Sequence, residues 1–265
     1  METFLLDGEG YKASLRDGRR VILDGREVED VTAEPVFAPA IDAWAELFDL
    51  QLDPEHQDIT TFVDPALDAR VSASWLVPRD VQDLRRRREL LNLATDRTMG
   101  IFGRPPDYGP TFTMGFLAEE HRIEEREPGA SAKIHAFFEK ATKGNLTSAD
   151  LVTEAQSDRS LPAAQNPGRL RVVEHRSDGV VLYGSKPVAS AAAQSHITTI
   201  GTLLAPGIDA DSIIWAVCPI NQEGITLVAR EPLTAFERDP EDHPLNHRGE
   251  EPDTYMLFDN VFLPS

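Results

Sequence analysis

Leu170-Arg171-Val172-Val173-Glu174-His175-Arg176-Ser177-Asp178-Gly179-Val180-Val181-Leu182-Tyr183 is where the grammar of this chain changes. Two runs rich in β-branched residues flank Asp178-Gly179, a pair that tight hairpin turns favour because it tolerates positive φ. The pair is read here as a break between two short strands. Downstream, Ile197 to Leu204, Ile213 to Val217 and Ile225 to Val228 repeat the pattern between Pro206-Gly207 and Glu223-Gly224, and Tyr255 to Leu263 adds a last apolar run. This half reads as an antiparallel sheet or barrel. An apolar run so close to the last residue also predicts that something packs against it.

Upstream the spacing is helical. Pro39 to Leu50 and Pro78 to Thr98 carry apolar residues at 3.6-residue intervals, with Pro78 and Asp80 as start signals, and further helices are expected at about Thr111 to Glu125 and Ala130 to Lys143. Asp17-Gly18 and Asp24-Gly25 around Val21-Ile22 predict one small hairpin near the start. Helices first and strands second is an α+β arrangement: a mainly helical domain over residues 1–155 and a β-barrel-like domain over 156–265.

Composition narrows the function classes. The 265 residues are 41% hydrophobic, enough for a sizeable core, and 26 Lys and Arg against 45 Asp and Glu give a net charge of −19. Such a field repels nucleic acid and anionic membrane surfaces. Phe4-Leu5-Leu6 is too short for a signal or spanning segment. The single Cys218 can neither close an intrachain disulfide nor build a thiolate-rich metal cluster, so a reducing, cytoplasmic setting is expected.

Several eye-catching features have plain readings. Arg85 to Arg88 on a helix point in four directions and read as a solvated or ion-paired surface. His243 and His247 have i,i+4 spacing, but Pro244 argues against the helix that would align them, and no metal site is expected. Neither a glycine-rich phosphate cradle nor a Gly-x-Ser-x-Gly elbow is present. Arg104-Pro-Pro-Asp-Tyr108 is more informative: a permanent cation and a phenol four residues apart in a proline-stiffened loop can hold a polar ligand. The same residues also admit a structural role, with Arg104 paired to Asp107.

Read in order, Gly10-Tyr-x-x-Ser-Leu-Arg-Asp-Gly-Arg19, Gly103-Arg-x-Pro-Asp-Tyr108, Gln156-x-Asp-Arg-Ser160, Arg171-Val-Val-Glu174, Gly184-Ser-Lys186 and Phe258-Asp-Asn-Val-Phe262 resemble the 4-hydroxyphenylacetate 3-hydroxylase family. These are oxygenase components of two-component flavin monooxygenases. The resemblance implies the first two domains of an acyl-CoA-dehydrogenase-like fold, without the C-terminal helical bundle. It implies FAD as cofactor, arriving as FADH2 from a separate flavin reductase, and molecular oxygen as co-substrate. A C4a-hydroperoxyflavin would then hydroxylate a small phenolic substrate beside its hydroxyl.

Carried over motif by motif, Arg104 and Tyr108 would hold the phenolic oxygen, Gln156, Ser157, Asp158 and Arg159 would line the flavin, and Ser190 would stand at a flavin-contacting Thr position. Asp150 falls where the resemblance implies an active-site His; it is a general base for an altered phenol, or the site no longer hydroxylates, and beside both stands the plain reading of a surface Asp capping a helix near Leu151. The family continues past Phe262 into a bundle that completes the pocket. A C-terminal-half polypeptide, or a homo-oligomer, is therefore an expected partner. Two other readings stand beside this one: a non-catalytic partner subunit of a split flavin enzyme, and a flavin-dependent acyl-CoA dehydratase or isomerase. The dehydratase form of the latter needs an iron–sulfur cluster that Cys218 alone does not support.

Overall fold

The computed structural model describes residues 1–102, 108–155, 158, 160–161, 165–166, 168–204, 207–230, 239–249 and 251–264. In chain order the first elements are β1 (Glu2–Thr3), α1 (Gly8–Ser14), β2 (Val21–Leu23), β3 (Arg26–Val28), α2 (Ala38–Asp49) and α3 (Gln57–Thr60). Next come β4 (Thr61–Asp64), β5 (Ala69–Ser72), α4 (Val81–Arg97), α5 (Tyr108–Ala118), α6 (Glu120–Glu124) and α7 (Ala130–Lys143). Strands β6 (Ser148–Leu151), β7 (Arg171–Arg176), β8 (Gly179–Ser190), β9 (Ile197–Ile200), β10 (Ala216–Pro219) and β11 (Ile225–Ala229) precede α8 (Pro244–His247) and β12 (Asp253–Pro264).

The chain divides into two compact units, Met1–Ser14 with Ala40–Thr147, and Leu15–Pro39 with Ser148–Ser265. In the first, α2 buries Ile41, Trp44, Ala45 and Phe48, an i, i+3, i+4, i+7 stripe. Phe48 stacks on Tyr11 with ring centroids 4.3 Å apart. A side chain at Gly8 would press within 2.8 Å of the Ala45 carbonyl, so glycine lets α1 lie against α2. Asp80 caps α4, its Oδ1 accepting from the amides of Gln82 (2.7 Å) and Asp83 (3.0 Å). Beneath α4, Phe62, Val71, Leu76 and Leu90 form a core cluster, each side chain contributing roughly 1.5–3 kcal/mol through burial. The helix expected over Thr111 to Glu125 breaks in two, because Glu119 leaves helical geometry (φ −103°, ψ 10°) between α5 and α6.

The second unit corrects the barrel expectation. Its described strands form a six-stranded sheet ordered β3-β2-β11-β12-β8-β7 and a three-stranded sheet ordered β10-β9-β6, both open and mixed, while the first unit has a sheet ordered β1-β5-β4. Parallel pairing enters wherever a short strand from elsewhere in the chain adds on: β2 to β11 and β6 to β9. The β2–β3 hairpin forms as expected, with Asp24 and Gly25 both at positive φ (51° and 76°), but its partner is β11, so it belongs to the second unit. The final strand is not left exposed. β12 lies between β11 and β8, burying Met256, Phe258, Val261 and Leu263, and a bulge at Asn260 (φ 54°) shifts the alternation by one residue.

The four-arginine run is not a uniformly solvated face. Arg87 is 6% exposed and donates through Nη1 to the carbonyls of Leu76 (2.7 Å) and Ser74 (3.3 Å), and through Nη2 to the Thr111 hydroxyl, so it ties α4 to α5. Pro244 does not prevent a helix; it opens the single turn α8, where its missing N–H costs nothing.

Candidate functional site

The expected site residues fall in both units. Arg104, Gln156, Ser157 and Arg159 lie outside the described residues. Tyr108 is the first residue of α5 and 38% exposed, its ring 6.3 Å from that of Phe112. Local chemistry fixes this helix start: Pro110 supplies a preset φ in the first turn, the Thr113 hydroxyl donates to the Pro110 carbonyl (2.8 Å), and Arg87 holds Thr111. Tyr108 therefore projects from a stiff turn.

In the second unit, Asp150 lies on β6, 4% exposed, opposite Thr199 of β9. The surface-capping reading of Asp150 is thereby corrected. Ser148-Ala-Asp-Leu151 forms a strand because β9 offers it a ladder, although its composition has little strand preference of its own. Asp158 is exposed and accepts from the Ser160 hydroxyl (2.6 Å) and amide (2.9 Å), which hold its carboxyl below the usual range, the hydroxyl contributing most.

Ser190 ends β8. Its hydroxyl donates to Asp253 Oδ1 (2.6 Å), so its oxygen lone pairs stay available as acceptors. On either side the backbone is strained, with Val188 at φ 56° and Ala191 at φ 59°. Left-handed geometry at a β-branched residue costs of order 1–3 kcal/mol and clusters at ligand-handling positions. On β9, in the other sheet of the unit, the Thr198 hydroxyl is buried without a hydrogen-bond partner among the described residues. Asp253 gave no signal in the sequence, since only the β8–β12 register, with Asp253 opposite Ser190, brings the two together.

Two other features are separate from these residues. A cleft of about 650 Å³ in the first unit, walled by Trp75, Val77, Arg79, His135, Phe138 and Lys143, includes none of the expected site residues. Among the described residues, Asp53, Glu55 and His56 bring three metal-type ligand atoms within 4.8 Å of one another. Arg97 Nη2 donates to His56 Nε2 at 2.6 Å, which sets a cation against that group.

The fold itself shows which class of protein this chain is similar to. The structure superposes on the oxygenase component of 4-hydroxyphenylacetate 3-monooxygenase, solved in complex with FAD and 4-hydroxyphenylacetate, with a TM-score of 0.87 and 27% identity over 98% of this chain and 54% of that one. Residues 7–265 match the family model described as 4-hydroxyphenylacetate 3-hydroxylase N terminal, and the chain belongs to this family. It is 34% identical to 2,4,6-trichlorophenol monooxygenase of Cupriavidus pinatubonensis, over 97% of this chain and 50% of the relative. It is 33% identical to the FADH(2)-dependent monooxygenase TftD of Burkholderia cepacia, over 97% of this chain and 51% of the relative. The chain thus spans about half the length of these curated relatives.

Proposed function

We propose that this chain is the N-terminal and middle portion of an FADH2-using phenol hydroxylase that places a second hydroxyl ortho to the first. The observation that carries the reading is similarity running through 97% of the chain to two monooxygenases, one named for a phenol and one for FADH2. A separate reductase supplies the reduced flavin. A C-terminal-half polypeptide or further copies of the chain complete the pocket.

The residues present fit FAD: a serine hydroxyl beside strained backbone, a buried threonine hydroxyl without a hydrogen-bond partner among the described residues, and a segment rich in amide, hydroxyl and guanidinium donors. Gln156, Ser157, Asp158, Arg159 and Ser190 hold the cofactor in this reading. When bound, reduced FAD supplies the electrons that activate dioxygen. The chain's own work is positioning and proton handling. Arg104 stabilises the negative charge that grows on the phenolic oxygen, and Tyr108 donates to that same oxygen from its fixed helix turn. Asp150 accepts the phenolic proton at its carboxylate, a base held on a strand. The burial of β6 and β9 keeps bulk water from it.

The test supplies NADH, FAD, a flavin reductase and a para-substituted phenol to the chain, alone and together with the helical C-terminal half of a relative. An ortho-dihydroxylated product, lost in Arg104→Met, is expected. Oxidation of the reduced flavin with no hydroxylated product in either mixture would overturn the proposal.

A further inference from the structure

β12 meets β8 in antiparallel register, with Asp253 opposite Ser190 and Thr254 opposite Ala189. The Thr254 hydroxyl donates to the Ala189 carbonyl (3.3 Å), which pins that end of the ladder. Side chains directly opposite one another on a sheet lie close enough to touch. The Ser190 hydroxyl accordingly donates to Asp253 Oδ1 at 2.6 Å, the short range expected of a hydroxyl on a charged oxygen. Oδ2 of the same carboxylate lies 3.5 Å from Arg230 Nε, so a cation also faces Asp253.

The backbone around Ser190 is held as firmly as its hydroxyl. Val188 and Ala191 stand at positive φ (56° and 59°), and a 3-10 turn, Ala192–Gln194, follows at once. The Ala191 carbonyl accepts from the Gln194 amide (3.1 Å) and the Ser195 hydroxyl (2.9 Å). Arg19 donates through Nη1 to the carbonyls of Ala193 (2.9 Å) and Ser195 (2.7 Å), while its Nε and Nη2 stay on the Asp17 carboxylate (2.9 and 2.8 Å). With its backbone fixed on both sides, Ser190 keeps only its side-chain torsions, and Asp253 takes those.

A hydroxyl has one proton, and a carboxylate only accepts. The proton of the pair therefore lies on the bond to Asp253, and the serine oxygen offers a ligand its lone pairs alone. The two redox states of an isoalloxazine differ at such a contact. The reduced ring carries an N–H at N5, where the oxidised ring has a bare nitrogen that accepts; its N3–H and carbonyl oxygens keep their roles in both states. An acceptor-only hydroxyl finds a partner at N5 of the reduced ring and none there on the oxidised one.

We infer that Asp253 is a positioning residue that makes Ser190 a selector for reduced flavin, by consuming the one proton that would otherwise serve the oxidised ring. The inference rests on the proposed function, which gives Ser190 its flavin contact. It adds what that contact reads, the redox state of the cofactor.

The experiment titrates oxidised FAD and anaerobically reduced FAD into the full chain, alone and with the helical C-terminal half of a relative. The ratio of the two dissociation constants is read by fluorescence and absorbance, beside the thermal midpoint of each protein. Asp253→Ala frees the Ser190 proton, and the preference for the reduced form is expected to fall about tenfold, the size of one hydrogen bond gained or lost. In a Ser190→Ala background the same change is expected to leave the ratio within about twofold. A merely structural role would weaken both forms together and leave the ratio alone. Asp253→Asn keeps the shape, and its amide can donate to Ser190 as well as accept from it. It is expected to lose part of the preference, and it carries the test should Asp253→Ala fail to fold. Three results overturn the inference alone: a parent that binds both forms equally, a ratio unchanged in both Asp253 variants, or an equal drop with and without the Ser190 hydroxyl. A parent that binds neither form in either mixture overturns the proposed function, and the inference falls with it.

Discussion

Replacing Arg87 by Met tests whether one member of a four-arginine run is a core residue. The guanidinium serves the buried carbonyls of Leu76 and Ser74 and the hydroxyl of Thr111 at once. A hydrogen bond from a charged donor contributes about 1.5–3 kcal/mol net, and each buried acceptor left bare costs about 1–3 kcal/mol. Met recovers part of the apolar packing, roughly 1–2 kcal/mol. Setting the 2.7 Å bond to Leu76 at full strength and the 3.3 Å bond to Ser74 at the low end leaves a net loss of about 3 kcal/mol. For a chain of this size that lowers the unfolding midpoint by about 6–12 °C. Arg85→Ala and Arg88→Ala, both at exposed positions, serve as controls and should stay within about 0.5 kcal/mol of the parent. Calorimetry of the three variants decides the matter. A midpoint for Arg87→Met no lower than those of the two controls would refute the reasoning. A second consequence is functional: Arg87 steadies the helix turn that carries Tyr108, so phenol affinity should fall more than FAD affinity in the same variant.

Gly184→Ala should lower the midpoint by several degrees, because its Cβ would meet the Arg169 carbonyl and its φ of 127° is nearly closed to alanine; an unchanged calorimetric midpoint would contradict the close approach. Cys218 is buried, and its thiol is pushed up to about 12, so a thiol reagent at pH 8 should label it only after unfolding; rapid labelling of the folded chain would count against its placement on β10. Burial, with Arg19 adding, pushes His196 down to about 3 from an ordinary 6.5. Between those values the unfolded chain binds a proton that the folded chain does not, so His196 contributes stability above pH 6.5 that is lost as pH falls toward 3. His196→Gln should therefore flatten the decline in stability over that window, by up to about 1 kcal/mol per pH unit in urea melts, and an identical slope would argue against it.

Much of the secondary structure was legible locally. Ala130 to Lys143 and the region after Asp80 announce helices through spacing and, at Asp80, capping, and Asp24-Gly25 announces a hairpin through turn chemistry; these signals sit within a few residues of what they specify. What could not be read depends on partners far along the chain. Nothing near Val21 says that it will pair in parallel with Leu227, and Ser148-Ala-Asp-Leu151 has no strand signature until β9 supplies a ladder. Arg87 looks like its neighbours because an apolar stripe does not register a cation whose donors are consumed by carbonyls. The candidate site divides in the same way. The motif order proposes Tyr108, Asp150 and Ser190, whereas the Asp253 carboxylate on Ser190 and the Glu154 carboxylate on Lys186 come together only through folding.

In the proposed function this chain builds a flavin-handling surface. The most direct measurement is a titration of oxidised and anaerobically reduced FAD into the purified chain, alone and with the helical C-terminal half of a relative, followed by absorbance and fluorescence. Saturable binding that is tighter for the reduced form, weakened in Ser190→Val and perturbed by added phenol, is the expected result. A chain that leaves the flavin spectrum untouched in both mixtures would contradict the account.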